Sequence, residues 1–390
     1  MKLYFATEGR LYKFNNEYYC SAGFGMALWN RYLKHFNTIC IICRVCDVFN
    51  LSEIKSFEKI SDPRLMIIEL PNYVGLYGFI KSKKIIDSIL KNIIVDDGAY
   101  ICRLPGQIGG MVIDVLRQKK IKYGCEVVGN PWDVFSKGSI SHPLRPIIQV
   151  LSFLQLKKQV YAADAVLYVT KKTLQKYFPA RNEIFNIGIS DVILKKNIIR
   201  EMPRDLMHKD IYNIVSIGSL SQLYKGPDVA IEAVKKLEGK KIKCKLHWLG
   251  DGKYLLDMKK LAKKLDISDC IVFHGNVSSN EVHAILDSAD VFVLASRTEG
   301  LPRALIEAMA HGLPCIGTKV GGIPELLTED VLINKEDSSA LADLLSIILC
   351  SPEKYHYLSK VNLASAKLYD EDNLNVNRDL FYQKLISIYN

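Results

Sequence analysis

No apolar run in the 390-residue sequence approaches the ~18 residues that a membrane-crossing helix needs. The opening, MKLYFATEGR, holds Glu8 and Arg10 and has no apolar h-region, so it does not read as a secretory signal. The expectation is a cytoplasmic chain whose ten cysteines stay reduced as small core residues. Thirteen prolines and 24 glycines are too few for collagen or low-complexity sequence. Metal signatures are missing too. The eight histidines form no H-E-x-x-H. Cys40, Cys43 and Cys46 sit in or just beyond the apolar run TICIICRV, and Asn50 stands where an iron–sulfur run would continue, so they read as a buried strand. The only D-x-D, Asp370–Asp372, opens a helical stretch, where acids suit the dipole.

What is present is globular: 49% apolar and 24% charged residues, long enough for two domains. The net charge of +10 is uneven, at +13 over residues 1–200 and −3 beyond. A basic half points to an anionic partner: nucleic acid, a phosphate-rich substrate or an anionic membrane face. Lys81, Lys83 and Lys84 cluster with Phe79, Ile80, Ile85 and Ile86, and Lys157, Lys158, Lys171 and Lys172 add charge to the same half. Solvated lysines are the plainer alternative.

Both halves alternate β-like runs with amphipathic stretches, which predicts α/β domains with parallel sheets. Strands are expected at Leu3–Ala6, Thr38–Arg44, Leu65–Leu70, Tyr100–Leu104, Cys125–Val128 and Ala165–Thr170. Six more follow at Asn213–Ile217, Lys243–Leu249, Cys270–His274, Val291–Ala295, Cys315–Thr318 and Val331–Asn334. Helices are expected at Pro227–Leu237, Lys253–Leu265, Ser279–Asp287, Pro302–His311 and Ser338–Leu349. The division read from this pattern is 1–190, a linker at 191–210, then 211–370, with a last helix over 371–390 that packs back on the first domain. A ligand is expected in the crevice between the two domains.

Four segments carry the candidate chemistry. In SRTEGLPRALIEAMAHG, Glu299 lies in a loop after a buried strand, and Pro302 suits the first turn of a helix. The unpaired amides of that turn favour an anion such as a diphosphate. Leu301, Ala304, Leu305, Ala308 and Met309 follow helical spacing, and Ile306 and Ala310 bury the rest of the helix. A carboxylate at Glu307 therefore needs polar partners, from ligand hydroxyls or from a neighbouring Lys or backbone amides. In IGSLSQLYKGPD, Lys225 stands at a helix N-terminus, an unfavourable place for a cation unless an anion joins it. WLGDG and HGNV each end a strand in glycine, where a ligand can approach the backbone. AGFGMA holds part of a G-x-G-x-x-G, with Leu28 at the third glycine position.

Together, GSLSQLYKG, WLGDG, HGNV and ADVFVLASRTEGLPRALIEAMAHGLPCIGTKVGGIPEL resemble the donor domain of GT-B glycosyltransferases of family 4, the group 1 type. ICRLPGQIGG and YGCEVVGNPWDVF are similar to polysaccharide-assembly members. The resemblance implies two doubly wound Rossmann-like domains facing across a cleft, an acceptor-side first and a donor-side second. It implies a retaining transfer of sugar from a UDP- or GDP-sugar to a glycan or lipid-linked acceptor, with no metal, no further cofactor and no nucleic acid, on the inner face of the plasma membrane.

Carried over by position, Glu299 is similar to the residue contacting the donor sugar's hydroxyls, Glu307 to the one holding the ribose, and Lys225 to the one pairing with the diphosphate. The amides of Gly300, Leu301, Pro302 and Arg303 are the implied phosphate and sugar contacts (proline contributing shape alone), and Gly250, Gly275, Asn276 and Val277 frame the base. Gly23 and Gly25 would let the first domain approach the diphosphate. Many members hold an arginine where Ser219 stands, leaving Arg297 or Arg303 to supply the second cation. The usual first-domain histidine has no counterpart, and Asn130 and Asp133 are the candidates. Two other readings stay open: a sugar-nucleotide-binding protein without catalysis, and a Rossmann oxidoreductase, which calls for the full G-x-G-x-x-G.

Overall fold

Runs such as Ile39–Ile42 are apolar at every position, which suits strands covered by helices on both faces. The computed structural model describes residues 1–20, 23–54, 57–134 and 145–390, and these form two compact units. One gathers Met1–Pro131, Leu151–Ile189 and Asn375–Asn390. The other gathers the described residues of Trp132–Val150 and Ser190–Leu374.

The first unit holds strands β1 (Lys2–Phe14), β2 (Glu17–Cys20), β3 (Thr38–Asp47), β4 (Glu58–Ile60), β5 (Leu65–Pro71), β6 (Ala99–Leu104), β7 (Gly124–Val127), β8 (Ala165–Tyr168) and β9 (Phe185–Gly188). Its parallel core runs β5-β3-β1-β6-β7-β8-β9. β1 is far longer than expected. After a register break between Ala6 and Arg10 it continues beside β3, then turns at Asn15 and Asn16, both at positive φ, into antiparallel β2. Asparagine tolerates that left-handed turn, which is the signal for this unforeseen hairpin. Cys40 and Cys43 are buried in β3, and burial pushes the Cys43 thiol up to about 12, as the buried-strand reading requires.

The helices of this part of the chain are α1 (Met26–Leu33), α2 (Gly75–Ile93), α3 (Gln107–Gln118), α4 (Pro131–Val134), α5 (Arg145–Ala162) and α6 (Thr173–Tyr177), of which α4 beyond Pro131 and α5 up to Val150 group with the second unit. α3 touches both α2 and α5. Lys119 Nζ, just past its end, donates to the carbonyls of Lys91 and Ile94, and Gln159 Nε2 donates to the Gly110 carbonyl.

The second unit follows expectation to within about two residues. Its strands are β10 (Tyr212–Ile217), β11 (Cys244–Leu249), β12 (Ile271–Gly275), β13 (Val291–Leu294), β14 (Cys315–Thr318) and β15 (Leu332–Ile333). They are all parallel, in the order β12-β11-β10-β13-β14-β15. This is the doubly wound order, with its reversal between β10 and β13. The helices are α7 (Pro227–Gly239), α8 (Leu255–Lys264), α9 (Ser279–Ser288), α10 (Arg303–Ala310), α11 (Ser338–Cys350) and α12 (Pro352–Lys367). α12 was not foreseen, although Ser351 caps it and Pro352 opens it.

The last helix, α13 (Glu371–Tyr389), completes the core of the first unit. Phe381, Tyr382 and Leu385 are buried, and the Tyr382 ring lies 5.1 Å from that of Tyr32. Tyr32 in turn donates to the buried Glu126 carboxylate at 2.5 Å. Phe381→Ala should therefore lower the unfolding free energy of the first unit by about 3–5 kcal/mol. Urea unfolding followed by circular dichroism checks this, and a change below about 1 kcal/mol would take the helix out of the core.

Candidate active site

In a doubly wound sheet the loops on either side of the reversal part and leave a crevice at the strand carboxyl ends. In the second unit these are the loops after β10 and β13. They carry Lys225 and Glu299.

The first loop, 218–226, is pressed against the end of β13. A Cβ on Gly226, at φ +66°, would stand 2.0 Å from the Ala295 carbonyl oxygen, so only glycine allows this approach. The Lys225 side chain crosses the face of Gly218, where a Cβ would meet its Cγ at 2.6 Å. It delivers Nζ to Glu299 Oε1 at 2.6 Å, and Ser296 Oγ donates to the same oxygen at 2.6 Å. Both charged side chains are largely buried, 14% exposed for Lys225 and 7% for Glu299.

The second loop is held from β14. Thr318 Oγ1 donates to the Ser296 carbonyl, and Gly322 N donates to the Gly300 carbonyl at 2.7 Å. Gly321, at φ +52°, lies so close that a Cβ would fall 1.8 Å from the Glu299 carbonyl oxygen. Pro302 precedes α10 without a side-chain cap, so the first amides of that helix have no capping partner from Pro302. The helix begins one residue later than the sequence suggested.

Glu307 stands apart from the ion pair. It lines a cavity of about 700 Å³ with Arg303, His283, His311, Asp287 and Arg200. Burial raises the Glu307 carboxyl above its ordinary value, and Arg303 one turn earlier opposes this only in part. No side-chain hydrogen bond or ion pair satisfies it among the described residues. The neighbouring-lysine alternative is thus realised at Glu299 rather than Glu307.

The two arginines that could supply a second cation differ in their partners. Arg297 is consumed: it grips Asp228 at 2.7 and 2.9 Å and Glu336 at 2.6 and 2.8 Å, and bonds the Leu223 carbonyl. Arg303 is exposed and remains available. Ser219 is exposed; its hydroxyl donates to the Asp251 carbonyl and accepts from Ser221 N.

Gly250 owes its identity to packing, because a Cβ there would stand 2.3 Å from the Gly218 carbonyl oxygen. Gly275 differs: it is at φ +67° with open space where a Cβ would sit. Asn276 beside it is exposed and Val277 half-buried, ahead of the Ser278 capping box of α9.

In the first unit, Gly23 is exposed at φ +101°. Gly25 lies against Glu58, whose Oε1 accepts from Met26 N at 2.8 Å. Asn130 is buried; Asp133 lies in α4, its side chain among those the structure does not describe.

Sequence reasoning passed over Ser296, Thr298 and the Gly321–Gly322 pair, although all lie in the segments quoted above. The Thr298 hydroxyl is buried without a hydrogen-bond partner, which costs about 1–3 kcal/mol. Small polar residues flanking an acid in a glycine-rich loop were the available signal.

Residues 199–362 match the model of the family described as Glycosyl transferases group 1. Protein CapJ of Staphylococcus aureus is 28% identical over 99% of this chain and 97% of its own. The amylovoran biosynthesis glycosyltransferase AmsK of Erwinia amylovora is 28% identical over 81% of this chain and 76% of its own. Among solved structures, sucrose-phosphate synthase from Thermosynechococcus elongatus superposes with a TM-score of 0.74 at 16% identity, covering 99% of both chains. Anabaena HepE in complex with UDP and glucose gives 0.68 at 14%, covering 99% of this chain and 100% of its own. The fold is GT-B. Residues 199–362, within the second unit, are thus similar to the glycosyl transferases of group 1.

An acid whose folded-state pKa is raised stabilises the fold less as pH climbs past its ordinary value of 4.5. Glu307→Gln should therefore raise the stability of the chain at pH 7, the gain fading toward pH 4. Thermal unfolding at the two pH values checks this. A loss of stability at pH 7 would mean that the carboxylate is paired.

Proposed function

We propose that the chain is a retaining glycosyltransferase that moves a sugar from a nucleotide-sugar to a hydroxyl of a glycan or lipid-linked acceptor in cell-surface polysaccharide biosynthesis. The observation that carries the reading is the convergence of Lys225 and Glu299 at the sheet reversal, on the loop that leads into the uncapped start of α10, the helix that carries Glu307. The name of AmsK supports polysaccharide assembly, and the UDP and glucose in the HepE structure support a UDP-sugar, with a GDP-sugar the alternative. The second unit is the donor side and the first the acceptor side.

Lys225 faces the diphosphate, with Arg303 as its second cation. Glu299 accepts from sugar hydroxyls and Glu307 from the ribose, while Gly275, Asn276 and Val277 frame the base. As the bond between the anomeric carbon and the phosphate oxygen breaks, negative charge gathers on the leaving diphosphate. Lys225 and the α10 amides stabilise it, the kind of electrostatic effect that usually dominates such steps. The acceptor hydroxyl attacks from the same face and gives its proton to the departing phosphate oxygen. This step invokes neither a metal nor an enzyme nucleophile. Asp133 remains a candidate only by its position after the GNPWD turn. Binding without catalysis is the second reading; Ser219 in place of an arginine favours it, and a turnover assay separates the two.

The acceptor side is read as peripheral to an anionic membrane. No described helix is long and apolar enough to cross one. The sequence cluster on α2 is corrected in part: Ile86 is fully buried and Phe79 packs on Tyr73. In their place Val74, Tyr77, Ile80 and Ile85 are exposed beside exposed Lys81, Lys83 and Lys84. α5 carries a second exposed stripe, Ile147, Val150, Leu151, Leu154 and Tyr161, at helical spacing with Lys157 and Lys158. Apolar groups rimmed by lysines suit a helix lying in a lipid interface.

Lys225→Ala should weaken nucleoside diphosphate binding by about a hundredfold, or ~2.7 kcal/mol, with nucleoside binding little changed. Calorimetry with UDP, GDP and ADP tests it, and unchanged affinity moves the phosphate site elsewhere. For the membrane reading, replacing Lys81, Lys83 and Lys84 with glutamine should remove about 1 kcal/mol per residue of affinity for anionic vesicles. Equal, salt-insensitive sedimentation with neutral and anionic vesicles would overturn it.

A further inference from the structure

Without ligand, Lys225 and Glu299 satisfy each other. We propose that this pair makes the site distinguish an intact nucleotide-sugar from the nucleoside diphosphate left after transfer, by an exchange of charge partners. The inference rests on the donor-site reading above and adds to it a means of product release.

Lys225 has one ammonium, on a stem laid across Gly218. When a diphosphate draws that ammonium away, Glu299 keeps only the Ser296 hydroxyl as a donor. A carboxylate 7% exposed is poorly served by one hydroxyl, because a buried charge needs a counter-charge or several hydrogen bonds. It would also face the arriving phosphate as a like charge. No other cation stands in. Arg297 is held by Asp228 and Glu336, and Arg303 belongs to the cavity with Glu307. Among the described residues Lys225 is the only ion-pair partner of Glu299.

An intact donor resolves the difficulty, since its sugar hydroxyls replace at Glu299 the donors that Lys225 withdraws. The diphosphate product has lost those hydroxyls. It takes the lysine and leaves Glu299 uncompensated, so the site holds product less tightly than the lysine alone would allow. Glu299 therefore acts on discrimination as well as on the sugar, and Ser296 sets how much uncompensated charge is tolerated.

The test is calorimetric, on the full chain, with UDP, GDP and ADP and the glucose conjugate of each. The base that binds wild type is carried to the variants. Glu299→Gln should tighten the nucleoside diphosphate by about tenfold while weakening the nucleotide-glucose, so that the ratio of the two affinities moves toward product. Ser296→Ala, a small change in a buried loop, should weaken the diphosphate further by removing the last donor to Glu299. Unchanged or weaker diphosphate binding in Glu299→Gln, with Lys225→Ala still impaired, overturns the exchange and leaves the donor site standing. If Lys225→Ala binds like wild type, or if none of the three nucleotides binds, the donor-site reading falls and the exchange with it.

Discussion

The Lys225–Glu299 ion pair exists because backbone segments from separate crossovers touch at glycine. Gly226 presses the loop after β10 against the end of β13, and Gly321 presses the loop after β14 against the carbonyl of Glu299. A methyl group at either position would push the segments apart by more than the tolerance of a 2.6 Å hydrogen bond. Gly250 and Gly252 serve the same purpose one strand further on, against Gly218 and Ser221. The sheet order brings these loops to one edge, and the missing side chains let them meet.

The same edge carries groups that folding alone would not favour. Among the described residues the half-buried Glu307 carboxylate has no hydrogen-bond or ion-pair partner, and the buried Thr298 hydroxyl has no hydrogen-bond partner. Each lowers stability by an amount on the order of 1 kcal/mol or more, a sizeable share of what a domain holds in reserve. The surrounding packing offsets it. Leu305, Ile306, Ala308 and Met309 are fully buried around Glu307, and Phe292 and Ile316 fill the strands beside the loop. Unsatisfied polar groups set in an otherwise well-packed region call for an explanation beyond folding, and the proposed donor site would supply one.

The second unit was legible because its strands are fully buried apolar runs and its turns carry glycine and proline at their mechanical positions. The first unit was less so. Its β1–β2 hairpin is polar and partly exposed, with an Asn-Asn turn rather than a glycine, and β4 has three residues. In the site, Lys225, Glu299 and Glu307 were legible from charge set in apolar or glycine-rich surroundings. Their division of labour was not. That one glutamate pairs with lysine while the other faces a cavity depends on side-chain direction across two crossovers, which no local pattern encodes. The fate of Arg297 likewise depends on Asp228 and Glu336, 69 and 39 residues away.

The two reversals also differ in how their helix starts are occupied. In the first unit Glu8 Oε2 accepts from Ile108 N at the start of α3, and Glu58 Oε1 accepts from Met26 N at the start of α1. Carboxylates of the chain itself already sit where the helix dipoles favour anions. In the second unit no such carboxylate cap is found at α10 among the described residues, and the helix opens on the exposed Arg303. Carboxylates of the chain thus occupy these helix starts in the first unit and not the start of α10 in the second, although the first half carries the larger positive charge. That charge instead sits outward, on α2 and along α5, next to exposed Tyr77, Ile80, Leu151 and Leu154. Under the proposed reading, nucleotide and lipid surface are both anionic but would meet different chemistry: one largely buried ammonium and an uncapped helix start for the first, dispersed lysines around apolar side chains for the second.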